Sequence, residues 1–242
     1  MEELNHINYR AIKEIPYEQL FFTIQYNGNT LDETERLAFV KRIDEDVEFY
    51  VEGINMAAGY IDEGFAETTL GTIQQTIFST LLYTTQVTAD CIVASKYFLL
   101  ANTDYDKRYM RGKYKIILNE GFKQLYGFCG HKNPDTVWGK LKPIIHYFPQ
   151  KIQEQYKELT NRLETLSKSS SWWKEERDIE THYDVQKIVR SRREEIIESK
   201  VMIESLPLIN ALKAVGFFVQ NANACVLNML LGAYKRGELK EE

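Results

Sequence analysis

TIQQTIFSTLLYTTQVTADCIVASKYFLLAN, residues 72–102, reads as one long helix, and its reading decides the fold. Val87, Cys91, Ala94, Phe98 and Ala101 recur on one side at helical spacing. No charged residue occurs before Asp90. A helix with so little charge has no face that water would strongly favour, so it belongs at the centre of a bundle.

Working outward from it, an apolar stripe precedes it at Leu37, Val40, Ile43, Val47, Val51 and Ile54, in steps of three and four. Thr30 and Glu33 form a capping box that predicts the start of that helix. Residues 1–30 read as an irregular or extended lead-in, in which LFFTIQY (20–26) has strand character without a partner strand. After the central segment, residues 102–128 open with cap residues and place Met110, Tyr114, Ile117 and Leu125 on one stripe. Residues 129–150 read as loop, broken at Pro134, Pro143 and Pro149. From Pro149 a further helix carries Ile152, Tyr156, Leu159, Leu163 and Leu166, and the serines at 167–171 end it. A short helix is predicted from Trp172 to about Tyr183. A basic turn with Lys187, Arg190, Arg192 and Arg193 follows. Ser205 reads as the N-cap of the last helix, with Pro207 in its first turn, where proline is tolerated. Its stripe is Leu208, Leu212, Val215, Val219, Ala222, Val226 and Leu230. The expectation is an all-α, up-and-down bundle of about six helices, with residues 1–242 forming a single domain.

Composition agrees with that class. Five Pro and 13 Gly are too few breakers for a strand-and-turn fold, and 44% apolar with 27% charged residues is ordinary for a globular chain. The net charge of −5 supplies no global field for nucleic acid, so any RNA contact must rest on a local patch. Two patches present themselves. Lys107, Arg108, Arg111 and Lys115 cluster beside the apolar stripe of the third helix, either as a solvated face or as a phosphate-contacting surface. Arg190, Arg192 and Arg193 form the second. The cysteines Cys91, Cys129 and Cys225 are widely spaced and form no CxxC pair, which predicts a reducing cytoplasm. The polar start MEELNHINYR lacks a signal-peptide core, and no uninterrupted apolar run reaches membrane-spanning length, so no membrane partner is expected.

Several chemistries are excluded by their absent motifs. A di-iron bundle needs two Glu-x-x-His motifs, and the chain has one, Glu3 and His6. Cys129, His131 and His146 fit no closed zinc spacing. There is no Gly-rich phosphate loop and no Gly-x-Ser-x-Gly elbow. No metal and no cofactor are therefore expected.

What remains is EERDIETHYD, residues 175–184. On a helix, Glu175, Asp178 and His182 fall within about 60° of one another at about 100° per residue. Asp178 is four residues before His182, close enough to fix the imidazole tautomer and raise its pKa. Arg177 supplies a planar grip for a phosphodiester oxygen. These three groups suit metal-independent RNA cleavage, in which a 2′-OH attacks the adjacent phosphorus and a cation offsets the charge that develops. The competing reading is a helix laced with surface ion pairs.

Arg177-Asp178-x-x-x-His182 resembles the signature of the HEPN superfamily, an Arg, a polar residue and a His after a short spacer. Glu175 or Glu176 resembles the acidic residue that often precedes that Arg. The specific match covers about ten residues, and the rest is bundle architecture. The resemblance implies a metal-independent endoribonuclease, a homodimer with facing motifs, and a place in toxin–antitoxin or phage-defence systems with an antitoxin or other protein partner. Catalytic roles would fall to His182 as acid/base, Arg177 as clamp and Asp178 as orienter. The alternative is a non-catalytic helical module that binds protein or RNA, with Trp172-Trp173 as interface anchors.

Overall fold

The computed structural model describes residues 33–127, 135–169 and 198–235, with the single positions 186, 189 and 196. Among them the chain is an all-α bundle without strands. It consists of α1 (Glu33–Glu63), α2 (Thr69–Leu100), α3 (Asp104–Leu125), the short α4 (Val137–Leu141), α5 (Gln150–Ser169) and α6 (Glu198–Lys235), with a 3₁₀ turn at Ile145–Tyr147. The lead-in before residue 33 and the expected helix at 172–183 lie outside the described residues.

As its lack of charge predicts, α2 is the central element, and α1, α3, α4 and α6 all pack on it. Its core is unusual in containing a threonine ridge. Thr72, Thr76, Thr80, Thr84 and Thr88 recur every four residues, and each hydroxyl donates to the carbonyl four residues earlier at 2.7–3.1 Å. These back-bonds satisfy the buried hydroxyls of Thr80, Thr84 and Thr88 within their own helix. A polar ridge can then enter an apolar core without an orphaned donor.

The connection between α1 and α2 is short and closely specified. Gly64, at φ 81°, adopts the left-handed conformation that ends helices, and its N–H donates to Ile61 O at 3.2 Å. Thr68 then caps α2, accepting from Gly71 N at 3.0 Å. The seam of α1 against α2 runs through Val40, Ile43, Val47, Tyr50, Ala57 and Ile61, at helical spacing. Val51, expected in that seam, is 44% exposed and Tyr50 takes its place.

At the next interface α2 and α3 approach closely at Gly121. A Cβ there would stand 2.4 Å from Val87 Cγ1, and the Tyr83 hydroxyl donates to Gly121 O at 2.8 Å. Tyr114, Leu118, Phe122 and Leu125 of α3 are fully buried.

Two expectations about the second half are corrected. Within the stretch read as loop, Thr136 caps α4 by accepting from Gly139 N at 3.1 Å. Trp138 anchors that helix. Its indole N–H donates to Thr160 Oγ1 at 3.0 Å, and its ring stacks on Tyr156 at 4.7 Å and meets Phe218 edge-on at 5.3 Å. Ser205 is not an N-cap either. α6 begins at Glu198, so Pro207 lies inside it, and Ser205 Oγ donates back to Val201 O at 2.6 Å. Burial of Val201, Leu208 and Leu212 on one stripe offsets the hydrogen bond that proline removes.

Two segments are long and apolar enough to cross a membrane by length and composition, Thr69–Leu100 and Pro207–Gly232. Polar uncharged residues such as Thr and Gln interrupt them without lowering mean hydropathy far, which is why no uninterrupted run signalled them. Within the bundle, 61% of the α2 window and 33% of the α6 window are buried.

Candidate functional site

The described part of the candidate site is built on α3. Thr103 caps this helix by accepting from Asp106 N at 3.1 Å while donating to Asp106 Oδ2 at 2.6 Å. One turn later come the four cations singled out in the sequence. Lys107, Arg108 and Arg111 are half-buried, and Lys115 is only 5% exposed. All four are engaged in interactions within the chain. Lys115 therefore belongs to the interior, while Lys107, Arg108 and Arg111 keep part of their surface in solvent. The exposed cation of this stretch is Lys113, whose ammonium stands 5.4 Å from the centroid of the Tyr109 ring.

Further polar groups are buried on α3 that sequence reasoning did not find. Asn119, one turn on from Lys115, is 2% exposed, and its Nδ2 has no hydrogen-bond partner among the described residues. The Tyr114 hydroxyl lies beside Ser205 of α6 but makes no hydrogen bond of ordinary geometry. Burial raises the Tyr114 pKa, the Ser205 neighbour opposes that rise and Cys91 adds to it. The available signal was the i, i+4 pair Lys115 and Asn119 flanking the apolar stripe.

A second polar contact joins α6 to α1. Burial lowers the Lys213 pKa, Asp46 pulls it back up and Arg42 lowers it further. Cys91 is buried and reduced, and burial raises its thiol pKa, with Asp90 adding to the rise. Cys225 is half-buried, and its thiol is likewise raised by burial.

Two grooves open on this framework. One, of about 490 Å³, is bounded by Val47, Val51 and Ile54 of α1 and by Met110, Lys113 and Ile117 of α3, with α2 as its floor. The other, of about 450 Å³, runs between α5 and α6 and brings Asn161 and Arg162 near Pro207 and Asn210. His146 is exposed in the 3₁₀ turn and packs on Tyr147 at 3.9 Å. Among the described residues no group of three or more His, Cys, Asp and Glu is placed to hold a metal ion.

Glu175, Glu176, Arg177, Asp178 and His182 lie outside the described residues, as do Arg190, Arg192, Arg193, Trp172, Trp173, Cys129 and His131. The structure thus brings together the α3 cations but says nothing of their relation to the motif. No protein-family model, curated protein or solved structure matches this chain. The class defined by the fold is an all-α helical bundle.

Proposed function

We propose that this chain is an HEPN-type, metal-independent endoribonuclease that acts as a homodimer. The observation that carries the reading is the spacing Arg177-Asp178-x-x-x-His182. In the reaction, His182 takes the proton of the attacking 2′-OH and returns a proton to the leaving 5′ oxygen. Arg177 holds a non-bridging phosphate oxygen while charge builds on phosphorus. Asp178 orients the imidazole. An all-α bundle is the architecture such a motif requires, and that supports the reading.

The test is a matched set of variants. His182→Ala and Arg177→Ala each abolish cleavage of single-stranded RNA while leaving the helical circular-dichroism signal unchanged. Loss of the helical signal in both variants, or cleavage unchanged in both, overturns the assignment.

A second reading is favoured by one specific observation. The α3 cations are engaged within the chain, whereas the groove beside them is uncovered among the described residues and largely apolar. In that reading the bundle is a non-catalytic module that binds a protein.

A further inference from the structure

We propose that the groove between α1, α2 and α3 is a docking site for a basic amphipathic helix of a partner protein. This inference is independent of the nuclease reading.

The shape fits one helix. Gln86, Val93 and Tyr97 of α2 mark the ends and middle of the groove floor. The eleven helical steps from Gln86 to Tyr97 span about 16 Å, or three turns, and neighbouring helices pack about 8–10 Å apart. α1 and α3 stand on either side of that floor, so the groove is the place a further helix would occupy in the bundle.

The lining has the chemistry of helix-in-groove recognition. Val47, Val51, Ile54, Val93, Met110 and Ile117 offer apolar surface, and Tyr97 is 54% exposed at one end. A single carboxylate, Asp90, is set into this floor, exposed and held by Gln86 Nε2 at 2.9 Å. Apolar anchors at i, i+3 or i+4, and i+7 would fill the floor, and one Lys or Arg would meet Asp90.

Charge selects the occupant. α1 carries nine acidic residues against three basic ones, a balance of −6, so the remainder of the chain carries +1 against the total of −5. Asp44 and Glu48 lie within about 60° of Val51 around α1, which places them along the same lip. Asp44 pairs with Lys96. Glu45, Glu48 and Glu52 are exposed and make no ion pair among the described residues. A second copy seated here through its own α1 would bring two such helices together at like charge, which electrostatics opposes. The opposite wall carries the exposed Lys113 of α3, so the occupant is a helix whose basic face turns to the acidic α1 lip and Asp90.

The experiment uses the full chain and a fluorescein-labelled 18-residue peptide with Leu at helical a, d and e positions and Lys elsewhere. Its counterpart has Glu in place of every Lys. By fluorescence anisotropy the Lys peptide binds at least about tenfold more tightly than the Glu peptide. Asp90→Asn weakens the Lys peptide by about tenfold, whereas Asp62→Asn, the same charge change outside the groove, weakens it less than about twofold. Val93→Lys abolishes binding, and circular dichroism shows the variant to be folded. Equal loss in Asp90→Asn and Asp62→Asn would mean unspecific attraction and overturn the proposal. So would equal affinity for both peptides, or sedimentation showing a dimer of the chain that Val93→Lys dissociates.

Discussion

Replacing Gly121 by Ala tests the close approach of α2 and α3. In an exposed helix interior this change would stabilise by up to about 1 kcal/mol, because Ala is the better helix former. Here the new methyl would stand 2.4 Å from Val87 Cγ1. Valine is stiff at χ1, so the clash is relieved by separating the helices rather than by turning a side chain. Overpacking of this kind costs about 1–3 kcal/mol. Separation also stretches the 2.8 Å hydrogen bond from Tyr83 to Gly121 O, worth about 1 kcal/mol. The net expectation is a loss of about 2 kcal/mol, which is about 4–8 °C in Tm for a chain of this size. Gly59 is the control, since nothing lies within 4 Å of a Cβ there. Gly59→Ala should leave stability unchanged or raise it by up to about 1 kcal/mol. Urea denaturation of both variants measures the contrast. Val87→Ala should remove most of the extra cost of Gly121→Ala in a double-mutant cycle. If Gly121→Ala is as stable as the parent, the close approach of α2 and α3 is refuted.

Pro207→Ala should stabilise by about 1–3 kcal/mol, because the proline interrupts α6 rather than starting it; no change in the urea midpoint would restore Ser205 as the N-cap. Trp138→Phe should cost about 1–3 kcal/mol by orphaning Thr160 as acceptor and trimming the stack on Tyr156, and a smaller loss would show that α4 is not anchored through its indole. Burial pushes the Tyr156 phenol up to about 12, with Thr160 opposing the rise and Tyr126 adding to it. Its protonated form is favoured in the fold, so its contribution is fully present below about pH 10 and is lost as pH rises through 12. Absorbance at 295 nm should therefore show a phenol ionising near 12 whose amplitude is missing in Tyr156→Phe, and an unchanged curve in that variant would refute the assignment.

The bundle was legible where apolar periodicity and lack of charge agreed. The α6 stripe from Leu208 to Val226 is buried as spaced, and α2 is central because nothing on it before Asp90 demands water. Legibility failed where local signals compete with packing. The α1 stripe was followed to Val51 instead of Tyr50, since both continue from Val47 and aliphatic spacing cannot weigh an amphipathic aromatic. Ser205 and Pro207 together imitate a helix start, yet the buried stripe carries α6 through them. α4 is only five residues long, too short for any period, and exists because Trp138 is held from α5 and α6. Lys115 looked like surface charge, as lysine usually is, yet it is only 5% exposed, which its local spacing does not announce. The Arg177–His182 motif is legible as spacing alone, because a catalytic role also needs a geometry that no local pattern encodes.

The most direct measurement is the end chemistry of RNA incubated with the purified chain in the presence of chelator. The account predicts fragments ending in 2′,3′-cyclic phosphate with the parent protein and none with His182→Ala. Intact RNA in both reactions, or equal fragmentation in both, contradicts it.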